Sequence, residues 1–231
     1  MKNITAGALI GGLFALFLAG SSLAGPLEDG KAAYDGRRYA EALQILQPLA
    51  EAGNIEAQNR MGLMYLFGEG APKDLALAVR WFRMAADQGD ARAQYQLGDI
   101  YAGIDPNQAV PWLTKAAEQG LNIAQVTLGA DYENGWGVGQ DYAQAAAWYR
   151  RSADQGNINA QLSLGMMLSE GRGVPKDPVA AYMWLSLAHK ADPHDALVTG
   201  ERDRVAAKLN GAQLARANRL QRDWRPGDGK N

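Results

Sequence analysis

The sequence predicts an all-α protein, a solenoid of paired helices with capping helices at both ends. The main observation is a tandem repeat: an Ala-Gln dipeptide, with a glycine five residues after the alanine, occurs four times at intervals of 36, 31 and 36 residues. Each repeat also carries two helix-length apolar segments separated by turn residues. A fixed period of roughly 20–50 residues is typical of a solenoid, whose units bury their apolar faces against their neighbours. The four alanines are Ala57, Ala93, Ala124 and Ala160.

Composition limits the classes of function. The 231 residues are 47% hydrophobic and 21% charged, which allows a sizeable core, and the formal net charge of −2 gives no basic footprint for nucleic acid. The chain contains no cysteine, which excludes disulfide frameworks, thiolate metal sites and cysteine nucleophiles. A soluble helical protein with no nucleic-acid partner is expected.

Residues 1–24 have the composition of a secretory signal peptide. Lys2 supplies a positive start, residues 4–19 form an uncharged apolar run, and Ser22-Leu23-Ala24 is a small-x-small cleavage signature. The alternative is an uncleaved membrane anchor, but a span needs about 20 apolar residues and this run is shorter. We therefore expect cleavage after Ala24, a periplasmic or secreted location, and no stable membrane insertion afterwards.

Residues 25–56 predict a divergent N-terminal capping helix pair. Apolar residues occur at helical spacing on both sides of Gly36, and Gly53 precedes Gly89 by one repeat length of 36 residues. The segment lacks the long loop of the later units, as expected for a terminal repeat that exposes one face to water.

Four full units follow, at 57–92, 93–123, 124–159 and 160–191. The first helix of each places large residues on one face together with a glycine, which lowers helix propensity by about 1 kcal/mol relative to alanine. Such a glycine predicts close approach of a neighbouring backbone or ring. These glycines are Gly62, Gly98, Gly129 and Gly165.

The second helix of each unit begins at an aspartate, a favourable N-cap, and carries a tryptophan that we predict to be buried between units. A glycine able to adopt a left-handed conformation ends the first three of these helices. The aspartates are Asp74, Asp105, Asp141 and Asp177, the tryptophans Trp81, Trp112, Trp148 and Trp184, and the glycines Gly89, Gly120 and Gly156.

The second unit is five residues shorter than the others, and the deletion lies in its loop. Tyr101 and the capping Asp105 are both retained, so the missing residues are those of the Gly-x-Gly turn. The other units keep this turn at 68–70, 135–137 and 171–173. A notch in one edge of the solenoid is expected at the second unit.

Residues 192–231 predict C-terminal capping helices and a tail. Two helices are expected, at about 195–209 and 212–224, the second capped by Asn210 and with Arg216, Arg219 and Arg222 on its outer side. Residues 200–231 hold eight basic and four acidic residues. This basic side is either a solvated cap face or a contact for an anionic surface such as a polysaccharide or lipid.

The unit resembles the Sel1-like repeat, a longer relative of the tetratricopeptide repeat. Residues 124–157 carry nearly the whole pattern, and the similarity covers about 135 residues of the chain. The matching residues are Ala124, Leu128, Gly129, Tyr132, Gly135, Gly137, Val138, Asp141, Ala145, Trp148, Tyr149, Ala153, Gln155 and Gly156. The resemblance implies a right-handed α/α solenoid that acts as a binding scaffold, with secreted bacterial members serving envelope signalling, polysaccharide secretion or host contact. A cysteine-rich branch of the family, which has a disulfide in each repeat, is linked to β-lactam hydrolysis. This chain has no cysteine, so the resemblance does not carry that activity over.

No constellation for catalysis, cofactor binding or metal binding is found in the sequence. His189 and His194 are the only histidines, and Pro193 between them places them in a helix end and a loop rather than on one helix face. The repeated aspartates are explained as caps, and no serine lies in a G-x-S-x-G elbow. We therefore expect no enzymatic activity and no cofactor.

The variable first-helix positions are the predicted partner-binding residues, since the inner wall of a solenoid is free to vary. Trp136 is added because it lies in a turn where no repeat pattern requires it. The set is Asn59, Leu63, Tyr95, Asp99, Ala130, Met166 and Trp136. The prediction is a scaffold in the cell envelope that binds a peptide segment or protein in its concavity. The alternatives are a hydrolase acting on cell-wall or β-lactam-type substrates and a protein that binds anionic polysaccharide.

Overall fold

The structure is a computed structural model that describes residues 25–227, and the predicted signal peptide lies outside these residues. Twelve α-helices account for the regular structure of the described part of the chain. They are α1 (Pro26–Asp35), α2 (Tyr39–Glu51), α3 (Ile55–Phe67), α4 (Leu75–Asp87), α5 (Ala91–Ala102), α6 (Pro106–Glu118), α7 (Asn122–Asn134), α8 (Tyr142–Asp154), α9 (Ile158–Glu170), α10 (Pro178–Ala191), α11 (Ala196–Ala206) and α12 (Gly211–Asp223).

The helices stack as pairs along one direction. Each odd-numbered helix from α1 to α9 packs on the helix that follows it, and each even-numbered helix packs on the first helix of the next unit. We call the first helix of a unit its A helix and the second its B helix. At the C-terminal end, α11 and α12 both pack on α10. The predicted all-α solenoid is confirmed.

Aspartate caps define the start of every B helix, as predicted. The side chain of Asp141, for example, accepts hydrogen bonds from the backbone N–H groups of Ala143 and Gln144 at 2.8 and 3.0 Å. Equivalent bonds are made by Asp74, Asp105 and Asp177. These contacts satisfy amide groups that have no partner inside the helix.

The repeated A-helix glycines are explained by close approach of the B helix. A Cβ added to Gly129 would lie 2.8 Å from two carbon atoms of the Tyr149 ring. The same relationship joins Gly62 to Phe82, Gly98 to Leu113 and Gly165 to Leu185. The glycine is less favourable in a helix than alanine, but its lack of a Cβ lets a large, buried B-helix side chain lie directly on the A helix.

In each full unit, the side chain that packs on the A-helix glycine belongs to the residue after the repeated tryptophan. This corrects the prediction that all four tryptophans are buried. Trp81 and Trp184 are buried, but Trp112 and Trp148 are only half-buried. The Arg151 guanidinium lies 4.5 Å from the centre of the Trp148 ring, on its outer side. Trp148 does pack between the second and third units, against the cluster that contains Leu113 and Leu128, but the prediction that it is fully buried there is wrong. The buried side chain that lies on Gly129 is that of Tyr149, 3% exposed.

A ladder of glutamine side chains crosses the junctions between units. Gln125, from an Ala-Gln pair, donates from Nε2 to the Ala117 carbonyl of the preceding B helix at 3.0 Å. Its Oε1 accepts a hydrogen bond from Gln155 Nε2, near the end of its own B helix, at 2.8 Å. The same two bonds link Gln58 with Ala50 and Gln88, and Gln94 with Ala86 and Gln119. The Ala-Gln dipeptide thus serves to pair buried polar groups at each junction.

The shortened turn of the second unit is confirmed. Residues 103–105 connect α5 to α6, whereas seven residues connect the helices of the other full units. In those units the second glycine of the turn, such as Gly137, packs on the first residue of the preceding B helix, here Pro106. The second unit has no such glycine, and Leu75 at the start of α4 is left 42% exposed.

The C-terminal cap forms as two helices, as predicted. Asn210 and Gln213 make a reciprocal capping box at the start of α12. The Trp224 ring packs edge-on against Trp184 with 6.1 Å between ring centres. Leu220 on the same helix is 42% exposed. Within residues 25–227, no helix has the length and apolar character to cross a membrane.

Candidate protein-binding surface

The predicted partner-binding residues lie mainly on the A helices, and we call the surface of α3, α5, α7 and α9 that carries them the A-helix wall. Its clearest concavity is a cavity of about 380 Å³ between α3 and the start of α5. Asn59 and Leu63 line it together with the charged residues Glu56, Arg60 and Arg92. This volume is in the range of natural binding pockets.

Asn59 has a structural contact as well as a surface position. Its Nδ2 donates to the carboxylate of Asp90 at 3.0 Å, and the same carboxylate oxygen accepts from the Ala93 backbone N–H at 2.7 Å. Asn59 thereby joins the middle of one A helix to the N-terminus of the next. Its side-chain amide is therefore already used in part for this contact between the two A helices.

The remaining wall residues differ in accessibility. Tyr95 is half-buried, packs against the core around Leu113 and Leu128, and has its pKa raised by burial. Asp99, one turn further along α5, is exposed, whereas Ala130 and Met166 are partly buried. The structure brings Asn59 and Leu63 into one cavity. Asp99, the one charged residue of the predicted set, is exposed outside that cavity.

Trp136 lies elsewhere, at the junction of the second and third units. Its side chain is 59% exposed. It closes one side of a cavity of about 270 Å³, which we call the junction pocket, whose other lining residues are Ala102, Pro106, Ala109 and Asp131. Ala102 and Pro106 flank the shortened turn, so the pocket lies at the predicted notch.

Asp131 is a candidate functional residue that the sequence analysis missed. It is 8% exposed, and burial raises the pKa of its carboxyl group to about 6. Its repeat position is held by Met64, Ile100 and Met167 in the other units. Comparison of units position by position would have revealed it, because a carboxylate in place of a buried methionine departs from the packing pattern.

The residues equivalent to Trp136 are held by polar contacts to the preceding unit. Glu69 accepts a hydrogen bond from the Tyr34 hydroxyl at 2.8 Å. Arg172 forms an ion pair with Glu133 at 3.2 Å and another with Glu170 at 2.7 Å. The middle residue of the turn therefore bridges neighbouring units at each of these junctions, and in the third unit that place is taken by an indole.

The two histidines lie where the sequence placed them. His189 is in the last turn of α10, with Nδ1 3.0 Å from Thr199 Oγ1, and His194 is exposed in the following turn. Among residues 25–227, no three or more potential metal-ligating side chains of His, Cys, Asp or Glu form a group.

The basic side of α12 is accessible. Arg216, Arg219 and Arg222 are all exposed, and none forms an ion pair with a described residue. Arg222 also lines a cavity of about 570 Å³ between the C-terminal cap and the end of the third unit, together with Trp224 and Lys190.

Comparison with known protein families identifies the repeat. The model of the Sel1 repeat matches residues 55–90, 91–121, 123–157 and 158–192. Among curated proteins, the ERAD-associated E3 ubiquitin-protein ligase component HRD3A of Arabidopsis thaliana is 43% identical over 63 residues, which are 27% of this chain and 9% of that protein.

Two solved structures resemble the fold over most of this chain. One is c5321, a protective antigen of uropathogenic Escherichia coli with an SLR fold, at 35% identity and a TM-score of 0.75 over 86% of this chain and 44% of that one. The other is a Sel1 repeat protein from Oxalobacter formigenes, at 28% identity and a TM-score of 0.70 over 84% of each chain. The chain thus spans less than half the length of the antigen and of HRD3A. Sel1 repeat proteins generally mediate protein–protein interactions and are typically non-catalytic scaffolds.

Proposed function

The chain belongs to the Sel1 repeat family, and from this premise we propose that it is a non-enzymatic scaffold that binds a segment of a partner protein along the A-helix wall. The observation that carries the proposal is the cavity of about 380 Å³ between α3 and α5, which has both apolar and charged lining residues. A peptide can place apolar side chains there without rearranging the helices.

Charge on the wall favours a partner segment that carries both acidic and basic side chains. Asp99 is exposed near the middle of the wall, and Arg92, exposed where it lines the cavity, forms no ion pair with a described residue. Glu56 of the cavity is already paired with Lys31 at 3.1 Å. Arg60, which also lines the cavity, is already paired with Asp35 at 3.0 Å and lies over the Tyr34 ring. Complementary charge of this kind contributes to association rate and specificity more than to affinity.

The cell envelope is the proposed location. The support is the signal-peptide pattern of residues 1–24 and the similarity to a protective antigen of a pathogenic bacterium. Mass spectrometry of the protein from a bacterial periplasmic fraction tests this, with Gly25 expected as the first residue. An intact N-terminus in the inner membrane would contradict it.

Site-specific photo-crosslinking in the periplasm tests the binding surface. A photoreactive amino acid at Asp99 is expected to capture a defined partner, whereas the same group at Arg80, exposed on the B helix α4, is the matched control. Asp99→Lys should weaken binding of the captured partner by at least about 1 kcal/mol. Capture from Arg80 alone would contradict binding at the A-helix wall.

A second candidate function is contact with an anionic surface through the C-terminal cap. It is favoured by the exposed Arg216, Arg219 and Arg222, which have no ion-pair partner among the described residues. Retention of the protein on an alginate or heparin column at low salt would support this function if the double variant Arg216→Glu/Arg219→Glu is no longer retained.

A further inference from the structure

Four residues that line the junction pocket differ from their equivalents at the next junction. The first residue of the preceding B helix is Pro106, where the equivalent residue at the next junction is Tyr142. Ala102 stands where the next unit has Glu133. Together with Asp131 and Trp136, these residues line a cavity of about 270 Å³. Of these positions, that of Asp131 holds an apolar residue in all three other full units, so its carboxylate is the clearest departure from the packing pattern.

The pocket presents a carboxylate with no partner. Asp131 is more than nine-tenths buried, lines the pocket, and forms no hydrogen bond or ion pair through its side chain with any residue between 25 and 227. Burial of most of this side chain makes the charged carboxylate unfavourable even though its oxygens keep some contact with solvent. A protein that used this place only for packing would keep the methionine found in the first and fourth units. The carboxylate is expected to have a partner that the chain itself does not supply.

The pocket is also lined by an aromatic ring. Trp136 is 59% exposed, and indole is the side chain that attracts a cation most strongly through its ring face. The corresponding residues Glu69 and Arg172 are held by contacts within the chain. The ring and the carboxylate share one cavity, so a single ligand group can reach both.

We propose that the junction pocket binds a cationic side chain, lysine or arginine, of a partner segment. The charged end would pair with the Asp131 carboxylate, and the aliphatic stem would lie against Trp136 and Ala109. The cavity is smaller than the roughly 300–1,000 Å³ of typical small-molecule sites, so it suits one side chain. The inference rests on the proposed function only in taking the cation to belong to a protein.

Short blocked peptides that differ in one residue test the pocket directly. The peptides carry Lys, Arg or Gln at the centre of an otherwise identical Gly/Ser sequence, and each is titrated into the ¹⁵N-labelled protein from residue 25 onward. The indole N–H of Trp136 and the amides of Ala102 and Ala109 are the expected reporters. The Lys and Arg peptides should bind at least about tenfold more tightly than the Gln peptide, the difference expected of a charge-assisted contact.

Three variants distinguish the pocket from nonspecific charge attraction. Asp131→Asn should remove the preference for the basic peptides, and Trp136→Leu should weaken their binding about threefold. Pro106→Tyr, which installs the residue of the next junction, should block binding while Asp131 and Trp136 remain. Asp87→Asn, which changes an exposed carboxylate at the end of α4, outside both the pocket and the A-helix wall, is the matched control and should leave the preference intact. Thermal melts confirm that each variant is folded.

Equal binding of the Lys and Gln peptides, or a preference that survives Asp131→Asn, would overturn the inference. Its failure can be told apart from failure of the scaffold proposal. A partner captured from Asp99 that binds the Asp131→Asn variant unchanged leaves the scaffold standing and removes the pocket. If the peptides bind with the expected specificity but no partner is captured from Asp99, the pocket stands and the proposal of binding at the A-helix wall fails.

Discussion

Gln155 Nε2 lies 2.8 Å from Gln125 Oε1, and this bond makes the buried amide of Gln125 a donor and an acceptor at once. Loss of the amide removes both of these hydrogen bonds and leaves the Ala117 carbonyl with only the bond from the Gly120 backbone N–H, at 3.0 Å. Gln125→Met, which keeps the volume and removes the hydrogen bonds, should reduce the free energy of unfolding by about 1–3 kcal/mol in urea.

Gln161→Met is the matched control for this prediction. Gln161 makes the same bond to the preceding helix, to Ala153 at 3.3 Å, but Ala191 stands where the other units have the second glutamine. Its substitution should therefore be milder by roughly the value of one hydrogen bond, about 1 kcal/mol. Equal losses in the two variants would show that the Gln155–Gln125 contact contributes nothing to stability.

Gly129→Ala tests the close approach of the A and B helices. The added methyl group would lie 2.8 Å from carbons of the buried Tyr149 ring, so the pair must separate. Despite the gain of about 1 kcal/mol in helix propensity, we expect a net loss of about 1–3 kcal/mol. Gly200→Ala, inside α11 with nothing within 4 Å of the new methyl, should instead stabilise by up to about 1 kcal/mol. The opposite signs are measured by urea unfolding, and a stabilised Gly129→Ala would contradict the packing argument.

The tryptophans divide into three classes of stability effect. Trp184 is 4% exposed and packs in the core of the fourth unit, so Trp184→Ala should reduce stability by about 3–5 kcal/mol. Trp148 is half-buried and lies against Arg151, so Trp148→Ala should reduce stability by about 1–2 kcal/mol. Trp136 is exposed, so Trp136→Ala should reduce stability by less than about 1 kcal/mol. Urea melts of the three alanine variants give the order, and a Trp148 effect equal to that of Trp184 would restore the buried assignment.

Local sequence signals predicted the fold well because each has a single physical meaning. Asp105 followed by Pro106 is a favourable start for a helix, and Gly129 within a helix indicates close packing. Both predictions agree with the structure. Trp148 and Tyr149 were harder to separate, since adjacent large residues differ by only 100° on a helix and either could face the core. The contact geometry of the A helix decides between them.

The candidate site was less predictable because its residues are identified by how they depart from the repeat. Trp136 stood out in the sequence since it lies in a turn. Asp131 did not, because one acidic residue on an amphipathic helix is usually solvated. Tyr95 was expected to vary freely on the wall, yet it packs against the core, so Tyr95→Ala should lower the thermal melt as well as affect binding. Asp99→Lys is the cleaner test of the wall.

The buried carboxyl group of Asp131 should make stability depend on pH in a predictable direction. Its pKa is about 6 in the folded protein, against about 3.9 in an unfolded chain, so the folded state binds more protons between these values. Stability is therefore highest, with respect to this group, below about pH 4 and is lost as the pH rises through 6. Residual contact with solvent reduces the effect, and we expect about 1–2 kcal/mol.

Asp131→Asn removes this titration and isolates it. At pH 8 the variant should be more stable than the wild type by about 1–2 kcal/mol, because a neutral amide replaces a buried unpaired charge. The difference should shrink as the pH falls and vanish near pH 4, where the wild-type carboxyl is also neutral. Burial also raises the pKa of Asp154, but that group titrates in both proteins and cancels. The measurement is urea unfolding of both proteins from pH 4 to 8. A variant less stable than the wild type at pH 8 would mean that the carboxylate is already paired, and the junction pocket would then have no charge to offer a ligand.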